Sequence, residues 1–200
     1  MLLPTTCPIC RRPGQAPCAT CAKELRRAPS FAVPPQVDVA HALLAYEGAG
    51  RELVARLKYR NARSSLAWLA AHQAEQVLKA ATLVDAVTWV PTSPERRRDR
   101  GFDQAQLLAR AVARNLHRPC RALLERRPGP AQTGRSAAQR RAGPPLRLAR
   151  HAVVPAHVLV VDDVITTGAT VSAAARVLRR AGADFVAVSA VARTPRKGLS

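Results

Sequence analysis

The 200-residue sequence predicts an α/β protein, with a Rossmann-like parallel sheet and helices on both of its faces, preceded by a small cysteine-rich domain. Apolar runs of strand length alternate with helical segments from residue 37 to residue 191, and such alternation is typical of parallel sheets. Four of the five cysteines lie in residues 1–30, which carry no strand pattern and no long helix pattern. We therefore expect two domains, 1–30 and 31–200, separated by a proline-rich step between residues 29 and 35.

Each element of the α/β part follows from a local pattern. Residues 158–161 are wholly apolar, as expected for a strand of a parallel sheet that is buried on both faces. Ser64 or Ser65 is a candidate cap for a helix whose apolar positions continue to Leu78. On such patterns we predict strands at 37–46, 84–90, 158–161 and 185–191, and helices from residue 51, from 64 or 65, around 107–112 and over 169–181. We also predict a basic loop at 95–100 and a long loop over 126–150, which is poor in apolar residues and rich in glycine and proline.

The sign of the charge is the most unusual feature of the composition. The chain has 32 Lys+Arg against 13 Asp+Glu, a formal net charge of +19, and 28 of these cations are arginines. Guanidinium groups match phosphate oxygens, so we expect partners that are nucleic acids or phosphorylated metabolites. A general arginine bias without a binding role is the alternative for any single exposed arginine. Aromatic residues, at 4%, argue against an RNA-recognition sheet, which depends on stacked rings.

No targeting or membrane-inserting segment is visible in the sequence. Residues 1–6 carry no positive charge, and their apolar stretch stops at Pro4. Nowhere do about 18 consecutive apolar residues occur. We therefore expect a cytoplasmic protein without membrane insertion. Thiols in that compartment stay reduced, so patterned cysteines there more often bind metal than form disulfides.

The four N-terminal cysteines form two C-x-x-C pairs, Cys7 with Cys10 and Cys18 with Cys21. Two such pairs close together are typical of a structural zinc ribbon, in which four thiolates surround one zinc ion. A redox-active dithiol is the alternative, but two pairs favour a metal. Because all four thiolates would be used, the zinc would have no open position for catalysis.

Residues 158–170, VLVVDDVITTGAT, combine a buried strand with two acids and a loop that leads into a helix. Asp162 and Asp163 follow the apolar run at the carboxyl end of the strand, where open α/β sheets bind ligands. Gly168 allows the backbone to approach an anion, and the N–H groups at the start of the next helix point towards it. A phosphate site beside a pair of acids that binds a diol suits a ribose 5-phosphate. The Walker phosphate-binding motif is absent.

This segment resembles the motif with which type I phosphoribosyltransferases bind phosphoribosyl pyrophosphate (PRPP). The resemblance implies the fold of that family, binding of PRPP with Mg²⁺, and ribose hydroxyls held by Asp162 and Asp163. It assigns the 5-phosphate to the loop formed by Thr166, Thr167, Gly168, Ala169 and Thr170. Purine-salvage members have an acid where this chain has Thr166, and a hydroxyl cannot replace it as a general base near neutral pH. Purine salvage is therefore disfavoured, although orotate-type members tolerate threonine there.

The whole chain also resembles the ComF family, including its ComFC and GntX types. The resemblance is carried by the four-cysteine ribbon, the segment at 158–170, and shorter motifs at 57–61, 90–91, 100–104, 132–134 and 140–141. It implies a cytosolic protein of DNA uptake in natural transformation that handles incoming single-stranded DNA. It does not imply a settled enzymatic reaction.

Arginines are concentrated in residues 91–150, which hold 15 of them against four acidic residues. Those of the predicted basic loop follow the second strand and are candidates to contact pyrophosphate or DNA phosphates: Arg96, Arg97, Arg98 and Arg100. Those of the long loop are candidate catalytic residues, since this loop resembles the mobile loop that closes over PRPP in the family: Arg135, Arg140 and Arg141. A solvated charged surface is the alternative for both groups.

Three functional hypotheses follow from these observations. The first is a ComF-type DNA-uptake protein that binds single-stranded DNA and has a PRPP-binding pocket. The second is an active, Mg²⁺-dependent phosphoribosyltransferase of unknown acceptor. The third is a non-catalytic scaffold whose ribbon docks a DNA-translocating competence helicase. The sequence favours the first and leaves catalysis open.

Overall fold

A four-stranded parallel sheet forms the centre of the computed structural model, which describes residues 5–57, 64–127 and 143–195. Its strand order is β1-β6-β5-β2. The strands are β1 (Val39–Ala45), β2 (Ala86–Trp89), β5 (His157–Ile165) and β6 (Phe185–Arg193). A separate antiparallel pair is formed by β3 (Leu124–Arg126) and β4 (Leu146–Leu148). The predicted α/β fold with a parallel sheet is confirmed.

Six helices connect the strands within the described residues. They are α1 (Ala19–Lys23), α2 (Gly48–Arg56), α3 (Leu66–Lys79), α4 (Pro94–Arg100), α5 (Gln104–Asn115) and α6 (Ala169–Arg180). None of them combines the length and the apolar composition that a transmembrane span requires.

The sheet has a hydrophobic core on each face, because its central strands send alternate side chains to opposite sides. On β5, Leu159 and Val161 belong to the core that includes residues of α3 and α5. Val158 and Val160 belong to the core on the other face, with Ala174 of α6. All four β5 residues are 0% exposed. The wholly apolar run at 158–161 is therefore explained by a strand covered on both faces.

Two predicted loops differ from the structure. The predicted basic loop at 95–100 is wrong, because these residues lie in α4. Pro94 begins this helix and Glu95 lies in its first turn, and both residue types favour a helix start. The predicted long loop over 126–150 is also wrong at its ends, since Arg126 closes β3 and residues 146–148 form β4. The chain between residues 126 and 146 thus joins the two strands of an antiparallel pair.

The cysteine-rich segment is joined to the sheet by backbone hydrogen bonds. The N–H of Ala28 donates to the carbonyl of Leu43, and the N–H of Ala45 donates to the carbonyl of Arg26. Ile9 and Leu25 pack against the core on the α3 and α5 face. These contacts place the segment against β1 at one edge of the sheet.

One buried polar contact links α3 to the sheet. Gln73 and Ser189 are both 0% exposed, and the Gln73 amide nitrogen donates to the Ser189 hydroxyl at 3.0 Å. A buried polar group that loses its partner costs about 1–3 kcal/mol, whereas removal of both partners can be nearly neutral.

Gln73→Met and Ser189→Ala should therefore each lower the free energy of unfolding by about 1–3 kcal/mol, because each leaves one buried group without its partner. The double variant should lose clearly less than the sum of the two. Urea unfolding of the four proteins measures this coupling. Strictly additive losses would show that the contact contributes nothing to stability.

Candidate functional site

A cavity of about 300 Å³ lies at the carboxyl edge of the parallel sheet, where β2 and β5 end. This is the edge at which open α/β sheets bind ligands. Its polar lining comes from five segments of the chain and includes Tyr46, Thr92, Gln104, Arg126, Asp162, Asp163, Thr166 and Thr170. The structure therefore brings both predicted acids and two residues of the predicted phosphate loop into one cavity.

Asp162 and Asp163 lie within β5 and not after it, because the strand continues to Ile165. Both residues nevertheless line the same cavity at the edge of the sheet. The Asp163 carboxylate accepts a hydrogen bond of 2.9 Å from the Gln104 amide at the start of α5. The Asp162 carboxylate accepts one of 2.8 Å from the N–H of Asp163. Both acids are thereby fixed in position.

Asp162 is only 9% exposed, and its surroundings disfavour the charged form. Burial raises the pKa of Asp162 well above its usual range, and the charges of Asp163 and Asp103 act in the same direction. A ligand that brings a cation or hydrogen-bond donors into the cavity would therefore stabilise the charged form of Asp162.

The predicted phosphate loop connects β5 to α6. Gly168 has φ +83°, a left-handed conformation that favours glycine, and α6 begins at the next residue. A Cβ atom on Gly168 would lie 3.0 Å from the Cβ and Cγ atoms of Pro34. Thr166 and Thr167 are exposed, and the Thr167 hydroxyl accepts a hydrogen bond of 3.3 Å from the N–H of Ala169. The loop is thus a compact turn at the N-terminus of a twelve-residue helix.

Arg193 supports this loop from the next strand. Its side chain is 7% exposed, donates to the carbonyl of Ile165 at 3.0 Å, and lies 5.1 Å from the centre of the Phe31 ring. The N–H of Thr194 donates to the same carbonyl at 3.1 Å. The end of β5 is therefore held at the residue before the phosphate loop.

Asp103 positions two segments that line the cavity, at Thr92 and at Gln104. Its carboxylate caps α5 by accepting hydrogen bonds from the N–H groups of Ala105 and Gln106, at 3.0 and 3.3 Å. It also accepts one of 3.0 Å from the N–H of Thr92, after β2. One side chain thus ties the end of β2 to the start of α5 and positions Gln104 beside Asp163.

Sequence reasoning missed several residues that line the cavity, chiefly Tyr46, Thr92, Gln104 and Arg126. Gln104 belongs to the motif at 100–104, which supported a family resemblance, but Gln104 itself was assigned no role. Arg126 lies at the end of a three-residue strand, and its neighbourhood was interpreted as loop. No local pattern points to its place in the cavity.

The candidate arginines have two different outcomes. Arg97 and Arg98 are exposed on α4, the helix that also contains Arg96 and Arg100, and neither Arg97 nor Arg98 is among the described residues that line the cavity. The remaining candidates lie outside the described residues: Arg135, Arg140 and Arg141.

Both ends of the segment that contains those three arginines lie close to the cavity. Arg126 lines it, and the N–H of Arg127 donates to the carbonyl of Pro145 at 2.9 Å. A Cβ atom on Gly143 would lie 2.4 Å from the carbonyl oxygen of Ala169, at the start of α6. The segment therefore leaves and rejoins the described structure beside the phosphate loop.

The four N-terminal cysteines form a second candidate site. Their Sγ atoms all lie within 4.8 Å of one another, and those of Cys10 and Cys18 are 3.7 Å apart. Four sulfurs placed about 2.3 Å from one zinc ion in a tetrahedron are about 3.8 Å apart. This cluster could therefore bind a metal ion.

The thiols of the cluster differ in their tendency to ionise. Burial acts to raise the pKa of Cys7, but backbone hydrogen bonds from Cys18, Cys10 and Ile9 outweigh it and lower that pKa to about 6. Burial and the neighbouring cysteine side chains raise the pKa of Cys21 to about 12.

Comparison with known proteins matches part of the chain to one family model. The family model described as phosphoribosyl transferase domain matches residues 103–199, which contain α5, β5, α6 and β6. Among solved structures, one titled as the allosteric regulatory enzyme of purine biosynthesis covers 68% of this chain and 30% of its own, with 23% identity and a TM-score of 0.46.

Two curated relatives span different shares of their own length. DNA utilization protein YhgH of Salmonella typhimurium is 30% identical over 196 residues, which cover 94% of this chain and 84% of that protein. Competence protein ComFC of Streptococcus pneumoniae is 30% identical over 105 residues, 52% of this chain and 46% of that protein. In that match, as in the matches to Escherichia coli YhgH, the chain spans about half the length of the curated relative. The phosphoribosyl transferase domain and the match along nearly the whole of Salmonella YhgH show that this chain belongs to the ComF family.

Proposed function

We propose that this chain is a DNA-uptake or DNA-utilization protein that binds single-stranded DNA and holds PRPP, with Mg²⁺, in the cavity at the carboxyl edge of the sheet. The observation that carries the ligand assignment is the convergence of Asp162 and Asp163 with the loop at 166–170 around one cavity. The role in DNA handling is supported by the names of the curated relatives, DNA utilization protein and competence protein.

The phosphate end of the ligand is assigned to the start of α6. In this proposal the 5-phosphate accepts hydrogen bonds from backbone N–H groups at 167–170 and from the hydroxyls of Thr166, Thr167 and Thr170. The positive end of the helix dipole favours an anion there. The exposed Thr166 and Thr167 support this placement, because they lie directly before the N-terminus of the twelve-residue helix α6.

The sugar end is assigned to the two acids. Ribose 2- and 3-hydroxyls would donate to the carboxylates of Asp162 and Asp163, which are fixed acceptors at the same edge. The Mg²⁺ ion that accompanies the diphosphate would bring a positive charge close to the buried carboxylate. Arg126, which lines the cavity, is a further group for the diphosphate.

Phosphoribosyl transfer to an acceptor is a second candidate function. It is favoured by the described residues on either side of 128–142, since Arg126 lines the cavity and Gly143 lies against Ala169 at the start of α6. Arg135, Arg140 and Arg141 would then be the candidates to stabilise the charge on departing pyrophosphate. Release of pyrophosphate in the presence of a nucleobase or another acceptor is the measurement that would demonstrate it.

The cysteine cluster is assigned to zinc. Two C-x-x-C pairs with four converging sulfurs fit a tetrahedral, all-thiolate ion, which has a structural role and no open position for a substrate. Cys7, Cys10, Cys18 and Cys21 would hold it.

Replacement of both acids should abolish PRPP binding. Calorimetric titration of the unmodified protein with PRPP and Mg²⁺ should show saturable binding that Asp162→Asn with Asp163→Asn removes. Charge-assisted hydrogen bonds contribute about 1.5–3 kcal/mol each, so we expect at least about a tenfold loss for each carboxylate. The exposed Asp184, at the start of β6, gives a matched control as Asp184→Asn. Equal affinity in the double variant and the unmodified protein would remove the pocket assignment.

Burial of Asp162 should make stability depend on pH in a defined direction. Because the raised pKa keeps this acid protonated in the folded state at pH values where the unfolded chain has lost the proton, stability falls as pH rises from about 4 through the folded pKa. Without ligand, Asp162→Asn should melt at the same temperature as the unmodified protein near pH 4 and at a higher temperature at pH 8. A difference in melting temperature that is constant with pH would contradict this expectation, and Asp184→Asn serves as the control.

Zinc removal should unfold the N-terminal segment and spare the sheet. Metal analysis should give one zinc per chain, which Cys10→Ser loses and Cys120→Ser retains. After chelation, amide protection should fall across residues 5–28 and persist in β5 and β6, because the free energy of structural zinc binding is local folding energy. A metal-free preparation with four reduced thiols and unchanged protection would be inconsistent with a zinc ribbon.

A further inference from the structure

The outer side of α5 and the turn that follows it carry four exposed arginines, which we call the α5 basic face: Arg110, Arg114, Arg118 and Arg121. None of them forms an ion pair within 4.0 Å with a described residue. The sequence has no acidic residue between positions 104 and 124. Hydrogen bonds from His157 lower the pKa of Asp85, and the charge of Arg118 acts in the same direction, so one acid lies near this face. The positive charge of the face is therefore only partly offset.

These arginines form one patch. Arg110 and Arg114 lie one helical turn apart, and both charges act on the thiol of Cys120, lowering its pKa against the burial that raises it. Backbone hydrogen bonds join Val87 of β2 to Pro119 and Arg121, so the turn continues the outer edge of the sheet. The patch thus combines one helix face with the edge beside β2.

Several cations on other helices of the fold are paired with acidic residues. On α2 and α3, Arg56 pairs with Glu52, and Lys79 with Glu75. On α6, Arg179 pairs with Asp38. The α5 basic face differs from α2 and α3 in carrying several exposed guanidinium groups that have no acidic partner within 4.0 Å among the described residues. Such an arrangement suits the phosphates of a nucleic acid strand.

We propose that the phosphate backbone of single-stranded DNA binds along the α5 basic face, outside the cavity, so that DNA and PRPP bind at the same time. This inference rests on the proposed DNA-binding function and adds where the strand lies. α5 begins at the cavity with Gln104, but Arg110 follows six residues later, about 9 Å along the helix axis. The two anionic ligands would therefore use different groups of one element.

The experiment compares two double variants with the same change in net charge. Arg110→Gln with Arg114→Gln removes two charges from the α5 basic face. Arg176→Gln with Arg180→Gln removes two exposed charges, also four residues apart, from α6 on the opposite face of the sheet. Binding of a fluorescent oligothymidylate is measured by anisotropy over a series of salt concentrations.

We expect the α5 variant to bind roughly tenfold more weakly near physiological salt, with a salt slope reduced by about 1.4, since each phosphate contact on a single strand contributes about 0.7. The α6 variant should stay within about twofold of the unmodified protein. Both variants should keep their affinity for PRPP with Mg²⁺, which also verifies that they are folded. Saturating PRPP should leave the affinity for the oligonucleotide unchanged.

Equal losses in the two variants would mean that DNA responds only to net charge, and would overturn the location. An unchanged affinity and slope in the α5 variant, or displacement of the oligonucleotide by PRPP, would overturn it as well. If the unmodified protein does not bind the oligonucleotide at all, the DNA part of the proposed function fails too, while the PRPP assignment is judged by its own titration.

Discussion

The parallel pairing of β5 with β6 determines where every group of the candidate site lies. Residues 158–161 are covered on both faces, so a shift in register would move apolar side chains out of their cores. That register places Asp162 opposite Ala190. It ends with Ile165, the residue before the predicted phosphate loop, opposite Arg193. A buried acid beside a second acid destabilises the ligand-free fold, and a strand fixed by two neighbours can retain it. Local destabilisation of this kind is common where the residues of a site are preorganised for a ligand.

Local patterns predicted the elements well and their ends less well. The apolar run at 158–161 was enough to identify β5, but the strand continues past Asp162 because backbone pairing with β6 does not require apolar side chains. At α4, residues 95–100 were predicted as a basic loop, although Pro94 and Glu95 are residue types that favour a helix start. The contact between Gln104 and Asp163 joins residues 59 positions apart. It follows from the cap at Asp103 and from sheet order, neither of which is visible in a single segment.

The cysteine cluster was predictable because all of its residues lie close together in the sequence. Its four sulfurs come from two short motifs in one segment of the chain, so their convergence depends on one local turn and not on sheet order. What the spacing did not indicate is the attachment of this segment to the rest of the protein. Ile9 and Leu25 pack against the core, and residues 26–28 pair with β1. Order in the cluster and order at the β1 edge are consequently coupled.

The charge of +19 has different consequences in different parts of the fold. On α2 and α3, each paired cation has a glutamate four residues before it. The opposite charges of such a surface pair largely cancel, so little positive potential remains around it. On α5 no acid is present, and the same residue type produces an open basic surface. The cavity differs from this basic surface, because it is lined by acids. An anion bound there would instead accept hydrogen bonds from oriented N–H groups at a helix N-terminus. Binding in a recessed site of this kind is weakly screened, whereas binding to exposed arginines weakens steeply with salt. The two proposed anionic ligands would therefore be held by physically separable means.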